Sequence, residues 1–479
     1  MLWLALHFPL LPLEALPLRQ SPSAVVTGGR VLAVDPAAAA AGVEVGQKRS
    51  TALGLAPRLR LFERDAAREA AALEHLACWG GRFTPSVVQA PPDALLLEVD
   101  GCQRLFGSLV QLATMAVREC TTLGWSIAWA VAPTPLGARW LARAGYGGCV
   151  ESLEQLAAVL AGLPCAVPGW PADTLARLEA FGVRQLGGLA GLPRAGLRRR
   201  LGGRIVDDWL RASGELPDPQ AFHVFPERFA AALELPSRVE HAEALAFAGQ
   251  RLLATLAGWL HARRRLIRAC TLHLGHDDAT TSVLDLRTGE PGADEGRLLR
   301  LLREHLGHLV LKAPVERLEL LADETFPLSG ESASLFGSAA AGEGRSACLE
   351  RLRARLGEAA VRSPACIADH RPECATAEHD PLTEAPPDHA PVSEADAFRP
   401  LWLLPDPQPL AELAGSPHWH GSLQLLSRPE RLESGWWDSG EAGAAGDVRR
   451  DYFVARNQLG QWAWIFRDAR GWFLHGLFA

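Results

Sequence analysis

A chain of 479 residues is too long for a single small module and fits roughly three compact units. Charged residues at 22% and hydrophobic ones at 48% exclude wholesale disorder and a collagen-like repeat. The formal net charge of −7 offers no global attraction to nucleic acid, so such a role has to rest on local basic patches, and these would be arginine patches because Lys48 and Lys312 are the chain's lysines.

Leu2 to Leu6 reads as a short buried strand, and Ala24 to Val34 as two β-rich runs around the Gly28-Gly29 turn. Ala67 to Ala77 has helical spacing, Ala94 to Val99 reads as a strand, Leu109 to Leu123 as a helix, Ser126 to Val131 as a strand, and Pro135 to Arg143 starts a helix. This alternation predicts a mixed-sheet α/β domain up to about residue 160. From Pro164 to Pro217 the strand signal gives way to short helices punctuated by Gly182, Gly191 and Gly202. A compact α+β unit follows, with strands at Phe229 to Leu235, Ile267 to Leu274, Thr281 to Leu286 and Glu316 to Leu321, and helices at Glu243 to Arg263 and Asp294 to Leu306. Ile367 to Asp396 holds eight acids against the single Arg371 and reads as a loosely ordered connector. The last 80 residues carry seven of the fifteen tryptophans, with a three-stranded meander over Asp451 to Arg456, Gln461 to Arg467 and Trp472 to Phe478, turning at Asn457 to Gly460.

The nine cysteines include no Cys-x-x-Cys pair, which points to a reducing compartment, and the cytoplasm is the expected location. The apolar start lacks a basic n-region and is broken by Pro9, Pro12, Glu14 and Pro17, unlike a signal peptide. Cys366, His370, Cys374 and His379 are spaced unlike any usual zinc finger, and neither a Walker-type loop nor a nucleophile elbow is present, so no metal or cofactor is expected.

The clearest local pattern is a helix, glycine turn, helix: Leu175, Leu178 and Phe181 on one face, Gly182-Val183-Arg184 as the turn, then Leu186, Leu189 and Leu192. Such a turn can aim unpaired amides at a phosphate. Arg194, Arg198, Arg199, Arg200 and Arg204 form a basic cluster beside it, with no acid among them. Taken alone, the unit is equally a helical hairpin with a solvated basic face.

Taken in order with the strand Leu2 to Leu6, the strand Ala94 to Val99 followed by Asp100-Gly101-Cys102-Gln103-Arg104-Leu105-Phe106-Gly107, and the run Ala130-Val131-Ala132-Pro133-Thr134-Pro135-Leu136-Gly137-Ala138-Arg139, these helices resemble the Y-family translesion DNA polymerases over about residues 1–325. The resemblance implies a multidomain α/β and α+β architecture: a palm at 1–163 with a fingers insertion near 10–65, a helical thumb at 164–220, a little finger at 225–325, a connector at 326–400 and a Trp-rich partner-binding extension at 401–479.

Polymerase chemistry needs clustered carboxylates for two magnesium ions. The family's first aspartate falls on Ala5, and its adjacent aspartate and glutamate fall on Asp93 and Ala94. Its triphosphate-gripping tyrosine, arginine and lysine fall on Pro36, Ala39 and Pro135. The expectation is therefore a polymerase body that does not polymerise, the alternative being a weakly active enzyme that uses Asp93 with Glu98 or Asp100.

The C-terminal blocks Arg428 to Asp438 and Arg450 to Arg456 resemble a mutagenesis branch of the same family. That branch implies an adaptor in SOS-type, error-prone translesion synthesis, which binds DNA and recruits the sliding clamp, an error-prone C-family DNA polymerase and a RecA-like accessory protein. Candidate DNA-binding residues are Gly182, Arg184, Arg194, Arg198, Arg199 and Arg200, and candidate partner-binding residues are Trp436, Trp437, Tyr452 and Arg456. Ser332-Ala333-Ser334-Leu335-Phe336 resembles a clamp-binding pentapeptide with serine in place of the usual leading glutamine. The alternatives are a loop that folds back onto the little finger and, for the tail, a domain whose tryptophans are all core.

Overall fold

Trp3–His7 (β1) forms because five successive residues find cover on both faces. After Leu11–Glu14 (α1), the chain builds Ser23–Thr27 (β2), Arg30–Val34 (β3), Pro36–Ala40 (α2), Arg49–Leu55 (α3) and Arg60–Glu63 (β4), with order β3-β2-β4 and a small core of its own. Ala66–Gly80 (α4) starts where the Asp65 carboxylate accepts the Ala67 and Arg68 amides. Then come Val87–Ala90 (β5), Ala94–Glu98 (β6), Gln103–Phe106 (α5), Leu109–Thr122 (α6), Ala128–Ala132 (β7), Pro135–Arg143 (α7) and Leu153–Ala161 (α8). The central sheet runs β5-β6-β1-β7, antiparallel throughout, with Ala5 opposite Leu96 on one side and Ala130 on the other.

The period of two along β1 splits this sheet between two cores. Leu2, Leu4 and Leu6 face α4 and α6, whereas Trp3 and Ala5 share a cluster with Ala94, Leu96, Ala130, Ala132, α7 and the helices that follow. Those helices are Ala172–Ala180 (α9), Gly187–Ala190 (α10), Arg194–Leu201 (α11) and Gly203–Ser213 (α12). Thr134 caps α7 by accepting the Gly137 amide, and its hydroxyl donates to Ala212 O at 2.7 Å, which ties the start of α7 to the end of α12.

The α+β block comprises Phe229–Val239 (β8), Ala246–Arg263 (α13), Arg265–His276 (β9), Thr281–Gly292 (β10), Glu295–His308 (α14), Val315–Ala322 (β11) and Thr325–Pro327 (β12). Its sheet runs β10-β9-β11-β8, β12 pairs with β9, and α13 and α14 bury their leucines in one core with it. α13 crosses α4 at close range. A Cβ on Gly258 would lie 2.2 Å from Cys78 O, and one on Gly81 would lie 2.7 Å from Gly258 O. Glycine is there because two backbones meet.

The computed structural model describes residues 1–16, 21–328, 345–367, 369–381, 399–438 and 446–478, and the chain divides into two units, Met1–Arg355 and Leu356–Ala479. Two expectations for the second half of the chain change. First, the connector expected at 326–400 contains folded elements, and the described part of Ile367 to Asp396, read as loosely ordered, carries one strand of a hairpin. Arg345–Leu356 (α15) packs on α14: Glu350, 3% exposed, takes the Arg297 guanidinium and the Gly289 amide, and Arg355 pairs with Glu304 at 2.9 Å. Ser363–Cys366 (β13) and Thr376–His379 (β14) make a hairpin in the second unit, next to a buried Arg371 paired with Asp369 at 2.7 Å. Charge counting misses this, because a few paired charges order a segment whose average composition reads as polar.

Second, the C-terminal meander is the middle of a larger sheet. Trp402–Leu413 (β15), Ser416–His418 (β16), Gln424–Leu425 (β17), Glu430–Ser434 (β18), Val448–Arg456 (β19), Trp462–Asp468 (β20) and Gly471–Leu477 (β21) run in the order β16-β15-β21-β20-β19-β17, with β18 also on β19. Pro405, Pro407 and Pro409 hid β15 from a strand reading. Its pairing with β21 shifts register between Leu403 and Gln408, and this irregularity spares Pro405 and Pro407 the ladder bonds that proline cannot donate.

Candidate functional site

Asp93 lies one residue before β6, Ala94 follows it as the first residue of that strand, and Ala5 stands on the neighbouring β1 opposite Leu96; both alanines have no exposed surface. The Asp93 carboxylate already has two partners. Arg139 of α7 reaches it at 3.4 Å while also donating to Pro91 O at 2.6 Å, and His7 Nδ1 lies 3.7 Å from its second oxygen. Burial holds the His7 imidazole below its ordinary pKa; Asp93 opposes that shift and Arg143 adds to it. Two ions about 4 Å apart need several carboxylates on one spot. Here one carboxylate meets a guanidinium and an imidazole.

Glu98 closes the far end of β6, roughly 16 Å along the strand from Asp93 at about 3.3 Å per residue. Asp100 follows it and lies 3.4 Å from the terminal amine of Met1. Neither residue shares a site with Asp93. Pro36 and Pro135 are first-turn residues of α2 and α7, where proline starts a helix, and Ala39 is exposed on α2. The roles of His7 and Arg139 were missed in the sequence because their partner, Asp93, is distant along the chain.

In the helical block Gly182 has φ +76° and ends α9. Its amide donates to Glu179 O, that of Val183 to Leu178 O and that of Leu186 to Leu163 O, so these three turn amides are engaged within the fold. The arginines are exposed but unequal. Arg194 pairs with Glu215 and Arg198 with Asp207, acids supplied by α12 and its exit. This corrects the reading of an acid-free cluster, which looked only at sequence neighbours. Arg200 lies over the Phe181 ring at 5.4 Å. Arg184, Arg199 and Arg204 have no carboxylate partner among the described residues.

In the second unit Trp436 and Trp437 are 72% and 55% exposed and meet edge to face at 5.6 Å. Arg456 is exposed at the far end of β19. Tyr452 is not a surface residue: it is 1% exposed, stacks on Trp464 at 4.0 Å, and its hydroxyl lies 2.7 Å from His475 Nδ1. It sits at an inward position of β19, and the strand period, not its aromatic character, decides its role. Trp402 and Trp462, which the sequence reading did not single out, are 66% and 43% exposed, and Trp462 pairs with Arg456 in register. The sheet therefore presents two separate aromatic surfaces: Trp436 and Trp437 lie beyond the Ser434–Val448 end of the β18–β19 pair, while Arg456 and Trp462 lie at the other end of β19.

Ser332 to Phe336 lies outside the described residues. Cys366 pairs with Thr376 and His379 with Ser363, so the hairpin holds these two at opposite ends. No described helix is long and apolar enough to cross a membrane.

Residues 11–143 match the model of the impB/mucB/samB family. The chain is similar to solved structures including a Dbh ternary complex, at 15% identity and a TM-score of 0.39 over 68% of this chain and 100% of that one. It is likewise similar to DinB from Sulfolobus solfataricus, at 15% identity and a TM-score of 0.38 over 69% of this chain and 100% of that one. Protein ImuB of Caulobacter vibrioides, in strain NA1000 / CB15N and again in strain ATCC 19089 / CIP 103742 / CB 15, is 30% identical over 460 residues, which span 91% of this chain and all of the relative. With a relative of that identity matched from end to end, this chain belongs to the ImuB family of Y-family polymerase-like proteins.

Proposed function

We propose that the chain is a non-catalytic adaptor in error-prone translesion synthesis, a polymerase body that holds DNA and gathers the proteins that copy it. The observation that carries this reading is the state of Asp93: one carboxylate held by Arg139, with alanine at the two positions, Ala94 next to it and Ala5 on the neighbouring strand, where the family has its other carboxylates. A single charge-paired acid cannot assemble a two-metal centre. The test is primer extension by the full chain with magnesium and with manganese. No extension is expected. Extension that Asp93→Ala abolishes would establish the weakly active polymerase instead.

DNA contact in this reading falls to Arg184, Arg199 and Arg200 of the helical block, with Arg194 and Arg198 secondary because each is already paired. The glycine turn serves as the spacer that presents Arg184. Docking of the sliding clamp is assigned to Ser332 to Phe336, and docking of a C-family polymerase and a RecA-like protein to the exposed Trp436, Trp437 and Arg456. Exposed tryptophan and arginine are the side chains that most often anchor protein interfaces.

A further inference from the structure

We propose that Glu74, Cys78 and His223 form a zinc site that fastens the segment joining the helical block to the α+β block onto α4. The three ligand atoms lie within 4.8 Å of one another. Cys78 Sγ is 3.8 Å from His223 Nε2, and Glu74 Oε1 is 3.6 Å from that same nitrogen. A tetrahedral zinc with bonds of about 2.3 Å to sulfur and about 2.0–2.1 Å to nitrogen and oxygen sets these separations at roughly 3.6 and 3.3 Å. Those two separations have to close by only a few tenths of an ångström, and the carboxylate, half-exposed, is the ligand left to adjust against the thiolate within the 4.8 Å limit.

The geometry is built by the fold. Glu74 and Cys78 stand four residues apart on α4 and so share a face. His223 is delivered by a segment pinned on both sides of it. Its amide donates to Val87 O of the edge strand β5 at 2.7 Å, and Phe222 stacks on Trp3 with centroids 6.3 Å apart. Phe225 packs edge-on against the His223 ring at 4.7 Å, and Trp259 Nε1 donates to Pro226 O at 2.8 Å. The His223 side chain is 6% exposed and Cys78 5%, while Glu74 at 48% leaves an open side for a water as fourth ligand. One thiolate, one imidazole and one carboxylate suit zinc, whereas magnesium and calcium take oxygen donors.

Gln89 of β5 supplies the outer contact. Its Nε2 donates to Glu74 Oε2 at 2.6 Å and lies 3.3 Å from His223 Nδ1. In that arrangement Nδ1 accepts and the imidazole proton is on Nε2. Zinc needs the Nε2 lone pair, so on binding the proton would move to Nδ1, and the Gln89 amide would give up its bond to Glu74 and turn to accept that proton through Oε1, leaving Glu74 to the zinc. The Cys78 thiol gives one proton to solvent as its sulfur becomes a thiolate ligand, so each zinc bound releases one proton from the site. Sequence reading had no access to this site, because His223 lies 145 residues from Cys78 and no short motif joins them.

The experiment uses the full chain, stripped of metal and titrated with Co²⁺ as a spectroscopic probe, followed by Zn²⁺. We expect one equivalent of cobalt with a sulfur-to-cobalt absorption band that zinc displaces. Cys78→Ser should lose the band, and His223→Ala and Glu74→Gln should each weaken zinc at least tenfold. Gln89→Ala should keep the band and weaken zinc roughly 10–100-fold. Glu74→Gln is half-exposed and decides the matter where a buried variant fails to fold. Absence of any thiolate band in the folded wild-type chain overturns the site. So does a band that survives Cys78→Ser, or zinc affinity unchanged in Glu74→Gln.

Discussion

Ala5 and Ala94 lack any exposed surface and belong to a core that reaches from the central sheet through α7 into the helical block. Restoring a carboxylate at Ala5 would therefore put a charge into packed methyl groups, not into a cleft. Ala5→Asp is expected to destabilise the chain by about 3–5 kcal/mol, the range for an uncompensated buried charge, and to leave primer extension absent. A denaturant midpoint matching the wild type, together with magnesium binding, would contradict this. His475 shows the same logic in the other unit. Burial pushes its pKa down from the ordinary 6.5 to about 4, with Glu373 opposing and Arg450 adding. Arg450 donates to the Tyr452 hydroxyl at 3.1 Å, which leaves that hydroxyl's proton for His475 Nδ1 at 2.7 Å, so the imidazole is held neutral. A histidine depressed in this way stabilises in full above its ordinary pKa of 6.5 and loses that contribution as pH falls through the window toward 4. Comparing the unfolding of the full chain at about pH 7 and about pH 5, inside that window, should show a larger drop in the wild type than in His475→Phe. Equal drops would remove His475 as the cause.

At the scale of elements, glycine has opposite roles in two helices. Gly258 of α13 faces the backbone of α4, and a Cβ there would lie only 2.2 Å from Cys78 O and 2.5 Å from Trp79 O, so Gly258→Ala has to push α13 and α4 apart. Its expected cost is roughly 1–3 kcal/mol, as for overpacked cores. Gly196 of α11 has open space around it, and Gly196→Ala should stabilise by roughly 0.5–1 kcal/mol through helix propensity. Urea midpoints of the two variants should move in opposite directions; a shared direction would refute the packing argument. These contrasts also show what was legible beforehand. Apolar periodicity gives the start of α7, as well as β2, β3 and the helices α4 and α6 to within a few residues, because each carries its own cap or turn: Thr134-Pro135, Gly28-Gly29, Asp65 and Ser108. The strand β15 was not legible, since its partner β21 lies far along the chain and its prolines argue against a strand. Tyr452 is a partner-binding candidate by the tail's resemblance, and the inward phase of β19 buries it instead. The Asp93–Arg139 pair and the Glu74, Cys78 and His223 cluster depend on contacts between distant segments, which no local spacing encodes.

Across the whole molecule, a net charge of −7 requires any grip on DNA to be local and strongly dependent on salt. The exposed arginines of the helical block then have to be ranked by what they already hold. Arg198 is neutralised by Asp207 and Arg194 by Glu215, and moving either onto a phosphate would strand an acid, so the gain is small. Arg184 and Arg199 carry no such cost, and each phosphate they reach should contribute about 0.9 to the slope of log affinity against log salt. Replacing both with alanine is thus expected to lower that slope by up to about 2, alike for different sequences, because phosphate contacts position the protein without reading bases. Replacing Arg194 and Arg198 should lower it by clearly less. Fluorescence-anisotropy titrations of primed duplex from low to moderate salt measure both slopes on the full chain. If the paired arginines prove the more important set, their acids must release them on binding, and the ranking by ion pairing is wrong.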